Sequence, residues 1–194
     1  MHKLTAEDLY PLEVYARVRP EFRERVMEHK AHRRLALGEH ITLSFEDRLT
    51  MHYQVQEMLR AERIFEPEQI REELDAYNPL IPDGSNWKAT MLIEYPNEGE
   101  RRLALARLRG IEDRVWVRVG DQEPVFAVPD EDMERANDDK TSAVHFLRFE
   151  LPPAAIDALR AGTGVSAGVG HPELTVHVRE IPEVLRESLI ADLA

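Results

Sequence analysis

The 194-residue sequence contains no cysteine. That absence excludes disulfides, thiolate nucleophiles, cysteine-ligated iron–sulfur clusters and sulfur-ligated zinc, so any metal has to be held by imidazoles and carboxylates. Long apolar runs are missing too. No stretch approaches the roughly 20 consecutive apolar residues of a membrane span, and residues 1–8 lack the apolar core of a secretory signal. The expectations are a cytoplasmic address and no membrane. Positive charge is in short supply: 25 Lys and Arg stand against 37 Asp and Glu, a formal net charge of −12. A surface of that sign repels phosphate backbones, which argues against nucleic acid as a partner.

What is present suffices for a fold. With 43% hydrophobic and 32% charged residues the chain lies in the globular range, and at this length about 70% of the unfolded surface can be buried without a covalent staple. The charge is unevenly spread. Between Ala16 and Leu35, seven basic residues (Arg17, Arg19, Arg23, Arg25, Lys30, Arg33 and Arg34) outnumber three acids, a net +4. Between Asp130 and Asp139, six acids face Arg135 alone, a net −5. Such runs ordinarily solvate a surface or pair with each other; the alternative is a docking patch for a partner.

Periodicity divides the chain at a proline-rich joint, residues 78–86, which cannot continue a helix or a central strand. Residues 1–80 read as a mainly helical part. Thr5 with Glu7 and Asp8 caps a helix over 5–18, and Pro20 opens a second over 20–34. Leu35, Leu37, Ile41, Leu43 and Phe45 then alternate across Gly38-Glu39, a two-residue hairpin turn. Ser44 caps a helix over 46–65 whose apolar stripe is Leu49, Tyr53, Val55, Met58 and Leu59. Another helix runs from Pro67 to Tyr77. Residues 81–194 read as β-rich, with the order strand, helix, strand, strand in 88–129 and again in 142–179, with turns at Gly120 and Gly170. The predicted class is α+β: a helical N-terminal part with a short hairpin, then a mainly antiparallel sheet built from two β-α-β-β units and a C-terminal helix. Whether the second half is a true internal repeat or a chance match of short elements stays open.

Few constellations carry chemistry. The glycines at 162–170 follow a helix rather than precede one, the wrong order for a phosphate cradle, so Gly162 is a helix C-cap and Gly170 a turn residue. His29 and His32 share a helical face but sit among arginines, which oppose a cation. The run from Asp130 has carboxylates at calcium-loop positions one, three and five, but lacks Gly at six and has Thr141 at twelve, which excludes an EF-hand. Strand alternation puts His145 on the inward face with Ala143, Leu147 and Phe149, where an imidazole needs a partner: backbone, carboxylate or ligand. His40 and His171 are loop-tip histidines, the latter in a Gly170-His171-Pro172 turn, that join it only if the fold gathers them. His177 is exposed. On the long helix, Gln54, Gln56 and Glu57 form polar rows, suited to reading a ligand's amide or carboxyl or to facing solvent.

Several runs resemble one uncharacterised bacterial domain-of-unknown-function family. They are Leu35-Ala36-Leu37-Gly38-Glu39-His40-Ile41-Thr42-Leu43-Ser44-Phe45-Glu46, Tyr53-Gln54-Val55-Gln56-Glu57-Met58-Leu59, Tyr77-Asn78-Pro79-Leu80-Ile81-Pro82-Asp83-Gly84, Asp130-Glu131-Asp132, Lys140 to Phe149 and Gly170-His171-Pro172. The resemblance covers nearly the whole chain and carries over no catalytic residue. Genes of that family tend to neighbour rubrerythrin-like and iron–sulfur oxidoreductase-like genes, so it implies redox or oxidative-stress company. The expected function is therefore a non-catalytic accessory or adaptor of a cytoplasmic redox system, with a rubrerythrin-like or iron–sulfur oxidoreductase-like partner. The alternatives are a metal-dependent or small-molecule-processing enzyme and a small-ligand sensor. Candidate ligand- or partner-binding residues are Arg33, Arg34, His40, Gln54, Gln56 and Glu57; candidate metal ligands are His40, His145 and His171. No resident cofactor follows from the sequence.

Overall fold

The structure, a computed structural model, describes residues 2–129 and 140–194. It is an α+β fold. The acidic run Asp130–Asp139, with its calcium-loop and docking-patch readings, lies outside the described residues.

The chain opens with a single 3-10 turn at Ala6–Asp8, closed by reciprocal Thr5 and Asp8 hydrogen bonds. That capping pair starts no long helix, contrary to expectation, because Pro11 resets the chain and caps α1 (Leu12–Ala31). Pro20, expected to separate two helices, lies inside α1. It removes one N–H, but the helix continues through it because Tyr15, Phe22 and Val26 bury one face against Leu49 and Tyr53 of the next helix. A hairpin follows, β1 (Arg34–Leu37) and β2 (Ile41–Glu46). Its loop has three residues, not two: Leu37 pairs with Ile41, and Gly38 takes the left-handed conformation, φ +73°, that reverses the chain.

The long helix α2 (Arg48–Glu62) is capped by Asp47 rather than Ser44, which is still paired in β2 with Arg34 and Thr90. The Asp47 carboxylate accepts the Thr50 N–H at 2.9 Å while the Thr50 hydroxyl accepts the Asp47 N–H at 2.9 Å. Its buried stripe is Thr50, Met51, Val55, Gln56 and Leu59, displaced from the expected one. Next, α3 (Pro67–Tyr77) occupies its expected place.

Then come β3 (Asn86–Ile93), α4 (Glu98–Arg107), β4 (Val115–Val119), β5 (Val125–Phe126), β6 (Val128–Pro129), β7 (Val144–Glu150), α5 (Pro153–Arg160), β8 (Val165–His171), β9 (Leu174–Val178) and α6 (Glu183–Ile190). The strands divide between two antiparallel sheets, ordered β1-β2-β3-β7-β6 and β5-β4-β8-β9. Corresponding strands of the two strand-helix-strand-strand series are neighbours: β3 pairs with β7, β4 with β8, and β5 and β9 flank the latter pair. Gly170 lies within β8, paired with Thr175, so the reversal falls at Pro172-Glu173 instead. Gly162 does end α5 in a left-handed conformation, φ +91°.

Alternation fills the interior. Ile41, Leu43 and Phe45 of β2, Trp87, Ala89, Met91 and Ile93 of β3, and Leu147 and Phe149 of β7 point into one core shared with the second sheet and with α4, α5 and α6. The helices α2 and α3 keep a core of their own around Met51, Val55, Leu59 and Leu74.

Candidate functional site

The three candidate metal-binding histidines have separate partners. His145 lies on the inner face of β7, 8% exposed. Its Nε2 is 2.9 Å from the Ser142 carbonyl and 3.0 Å from the Thr141 hydroxyl, which donates to Glu112 at 3.1 Å. A carbonyl can only accept, so Nε2 carries the hydrogen, and His145, Thr141 and Glu112 form a short inward relay. It fastens the start of β7 to the turn after α4. His171 is not at a loop tip: the end of β8 buries it, its Nε2 meets the Arg109 carbonyl at 3.0 Å, and its Nδ1 accepts the Glu173 N–H at 3.2 Å. His40 does sit in the hairpin loop, its Nδ1 3.1 Å from the Glu94 carbonyl and its ring stacked on Tyr95 at 3.9 Å between centroids. Among the described residues no group of three or more His, Asp or Glu is gathered to hold a metal ion. His177 is exposed, as expected.

The polar residues of α2 are mostly turned inward. Gln56 is fully buried and clasps the Tyr10 backbone, accepting its N–H at 2.5 Å and donating to its carbonyl at 3.3 Å. Glu57 takes two hydrogen bonds from the Arg19 guanidinium, each 2.7 Å, and one from the Tyr15 hydroxyl at 2.8 Å. Arg19, ahead of Tyr15, holds the Glu57 carboxyl down at about 2. Gln54 remains half-buried. Beside them the His52 ring stacks on Tyr10 at 5.8 Å and lies tilted against Phe22 at 5.1 Å, and burial lowers its pKa.

Of the two candidate arginines, Arg34 is on the surface and Arg33 is not. Arg33 is 2% exposed and donates to the carbonyls of Phe45, Glu46 and Ser188, the Ser188 hydroxyl and the Asp192 carboxylate, with Asp47 at 3.6 Å. Asp47 in turn binds His29 at 2.5 Å. Burial pushes Asp192 up to about 6 despite Arg33. This network joins the end of α1, the β2–α2 corner and the C-terminal segment. The α1 surface that remains is of mixed sign, with Arg17, Arg23 and Arg25 among Glu21, Glu24 and Glu28.

Two concavities border these networks. One, of about 300 Å³, is bounded by Tyr95, Glu100, Leu103, Arg107 and Glu173. The residue stacked on His40 and the residue bonded to His171 therefore share its wall. The other, also about 300 Å³, lies between the 3-10 turn, the end of α2 and the start of α3, and is lined by Leu9, Tyr10, Leu12, Leu59, Ile64, Phe65 and Ile70. Its lining is mainly apolar, and Phe65 at its lip is 69% exposed. The helical pattern predicts Phe65 as the end of the long helix, whereas α2 stops at Glu62 and Phe65 lies in the link beyond it. The overlooked signal is Ile64-Phe65 standing alone in a short link among Arg60, Glu62, Arg63 and Glu66.

Residues 3–193 match the family described as "Protein of unknown function (DUF3501)". The chain belongs to that family, whose breadth of match agrees with the resemblance carried by its motifs. A crystal structure of a novel protein of unknown function from Burkholderia pseudomallei K96243 is 51% identical, covers 100% of both chains and superposes with a TM-score of 0.95. No curated protein matches the sequence. No helix among the described residues is long and apolar enough to cross a membrane.

Proposed function

We propose that this chain is a non-catalytic docking protein, an accessory or adaptor of a cytoplasmic redox or oxidative-stress system. The observation that carries this reading is a contrast. Arg33, Gln56, Glu57, His145 and His171 are each engaged by internal partners, whereas Phe65 is held out to solvent on the lip of an apolar cleft. A large exposed aromatic beside a cleft is the usual anchor of an interface rather than of a reaction centre. A cysteine-free chain suits a protein that carries no cluster of its own. The partner class, rubrerythrin-like or iron–sulfur oxidoreductase-like, is the one the family resemblance implies, and geometry does not specify it. Calorimetric titration with a purified rubrerythrin-like protein from the same genome should give saturable binding that weakens about tenfold between 50 and 300 mM salt. Absence of heat with either partner class would count against the reading.

A second reading has one specific observation behind it: Tyr95, stacked on His40, and Glu173, bonded to His171, border the same concavity. That favours a small-ligand sensor or a metal-dependent enzyme at that end of the molecule. Elemental analysis of protein purified without a histidine tag decides the metal form. One metal per chain, lost in His40→Ala, would support it; traces well below one per chain would not.

A further inference from the structure

We propose that the cleft beside Phe65 seats a basic amphipathic helix of a protein partner. One bulky apolar side chain of that helix inserts against Phe65, and its lysines or arginines lie over the acidic rim. The inference rests on the docking reading and specifies the chemistry of the docked segment.

Three observations carry it. The first is shape: Leu9, Leu12, Leu59, Ile64 and Ile70 wall a space of about 300 Å³, enough for one or two large side chains and at the small end of ligand sites. A further depression, bounded by Glu66, Glu68, Gln69 and Arg71, lies along the first turn of α3, next in sequence to Phe65. The second observation is presentation. Arg63 has φ +56°, and among the described residues it is the one non-glycine in the left-handed region. The Ile64 N–H then closes back on the Leu59 carbonyl at 2.9 Å. The link between α2 and α3 is thus held in a strained shape that turns Ile64 into the cleft wall and leaves Phe65 on its edge. The third is charge. Glu13 lines the cleft, and six acids against two bases occupy residues 62–75. Glu73 adds to this edge, its pKa raised chiefly by burial and further by the neighbouring Glu62 and Glu72.

These features select the occupant. The walls are helical and offer no unpaired strand edge, so recognition is by side chains, which a helix supplies at positions i, i+3 or i+4 and i+7. The negative rim selects Lys and Arg around the apolar anchor, repels an anionic lipid surface, and repels a second copy of the same rim.

The test uses the full chain and a fluorescein-labelled 14-residue amphipathic peptide of Leu and Lys, with its Leu and Glu counterpart as control, read by anisotropy. The Leu/Lys peptide should bind saturably. Phe65→Ala, which leaves an exposed position with an unchanged thermal midpoint, should weaken it at least tenfold, as should Glu66→Lys with Glu68→Lys. The equal charge change Glu183→Lys with Glu187→Lys on α6 should weaken it less than twofold. Equal losses from the two charge reversals, indifference to Phe65→Ala, or binding of the Leu/Glu peptide would overturn the proposal. So would Phe65-dependent binding to phosphatidylcholine vesicles, or Phe65-dependent self-association in sedimentation. Failure of the docking reading is distinguishable: a redox partner that binds wild-type and Phe65→Ala chains equally leaves that reading standing and removes this one.

Discussion

At the scale of single residues, the interior charges decide most. Arg33 is surrounded by three carbonyls, a hydroxyl and two carboxylates, all far from it in sequence except Asp47 and its neighbours. Removing it strands Asp192 and Asp47, so Arg33→Met should lower unfolding stability by about 3–5 kcal/mol in urea denaturation; a loss under 1 kcal/mol would show that the network is dispensable. Asp192 gives a pH signature. Its pKa is raised from 3.8 to about 6, so the folded state favours the protonated form. The stability this supplies is complete below pH 3.8 and is lost as pH rises through about 6. Asp192→Asn, a permanently neutral stand-in, should gain on the wild type across that window, whatever its starting level; parallel curves would contradict the assignment. Sequence reading reached His145 because alternation over 143–149 is strict and the backbone period of two leaves no choice of face. It missed the depth of Arg33 and Gln56 because charge and polarity normally mark the surface, and only long-range partners such as Asp192 or Tyr10 reverse that.

At the scale of elements, local rules hold where tertiary packing agrees with them. The hairpin, α3 and the strands of the second half were legible from period and punctuation. Pro20 was misleading, since packing of Tyr15, Phe22 and Val26 overrides one missing N–H. Ser44 lost the cap to Asp47 because the strand pairing of β2 runs on past it. The join between α1 and α2 depends on Glu57, held near 2 from an ordinary 4.5, chiefly by Arg19. Its contribution is present above pH 4.5 and fades as pH falls through 2, so Glu57→Gln should lower the thermal midpoint at pH 7 and flatten the acid limb. An unchanged acid limb would mean the pair adds nothing. In β8, a Cβ on Gly168 would collide with the Val176 carbonyl and stand 2.5 Å from the Trp116 ring. Gly168→Ala should therefore cost about 1–3 kcal/mol by overpacking, whereas a neutral effect would show that the two sheet strands can part there.

At the scale of the whole molecule, the polar side chains with the richest chemistry are turned inward to tie helices to sheets, the chain as a whole carries a formal net charge of −12, and an apolar notch opens beside the exposed Phe65. The class of fold was legible in the sequence, because helical and alternating periods separate cleanly along it. The notch was not, since it is assembled from the 3-10 turn, the end of α2 and the start of α3, and no local pattern announces a concavity. The central prediction is a partner seated in that notch. Hydrogen–deuterium exchange of the chain with and without a purified rubrerythrin-like or iron–sulfur oxidoreductase-like partner measures this directly. Slowed exchange confined to residues 6–13 and 63–71 is the predicted result; unchanged exchange there, with protection appearing instead around Tyr95 and Glu173, would contradict it.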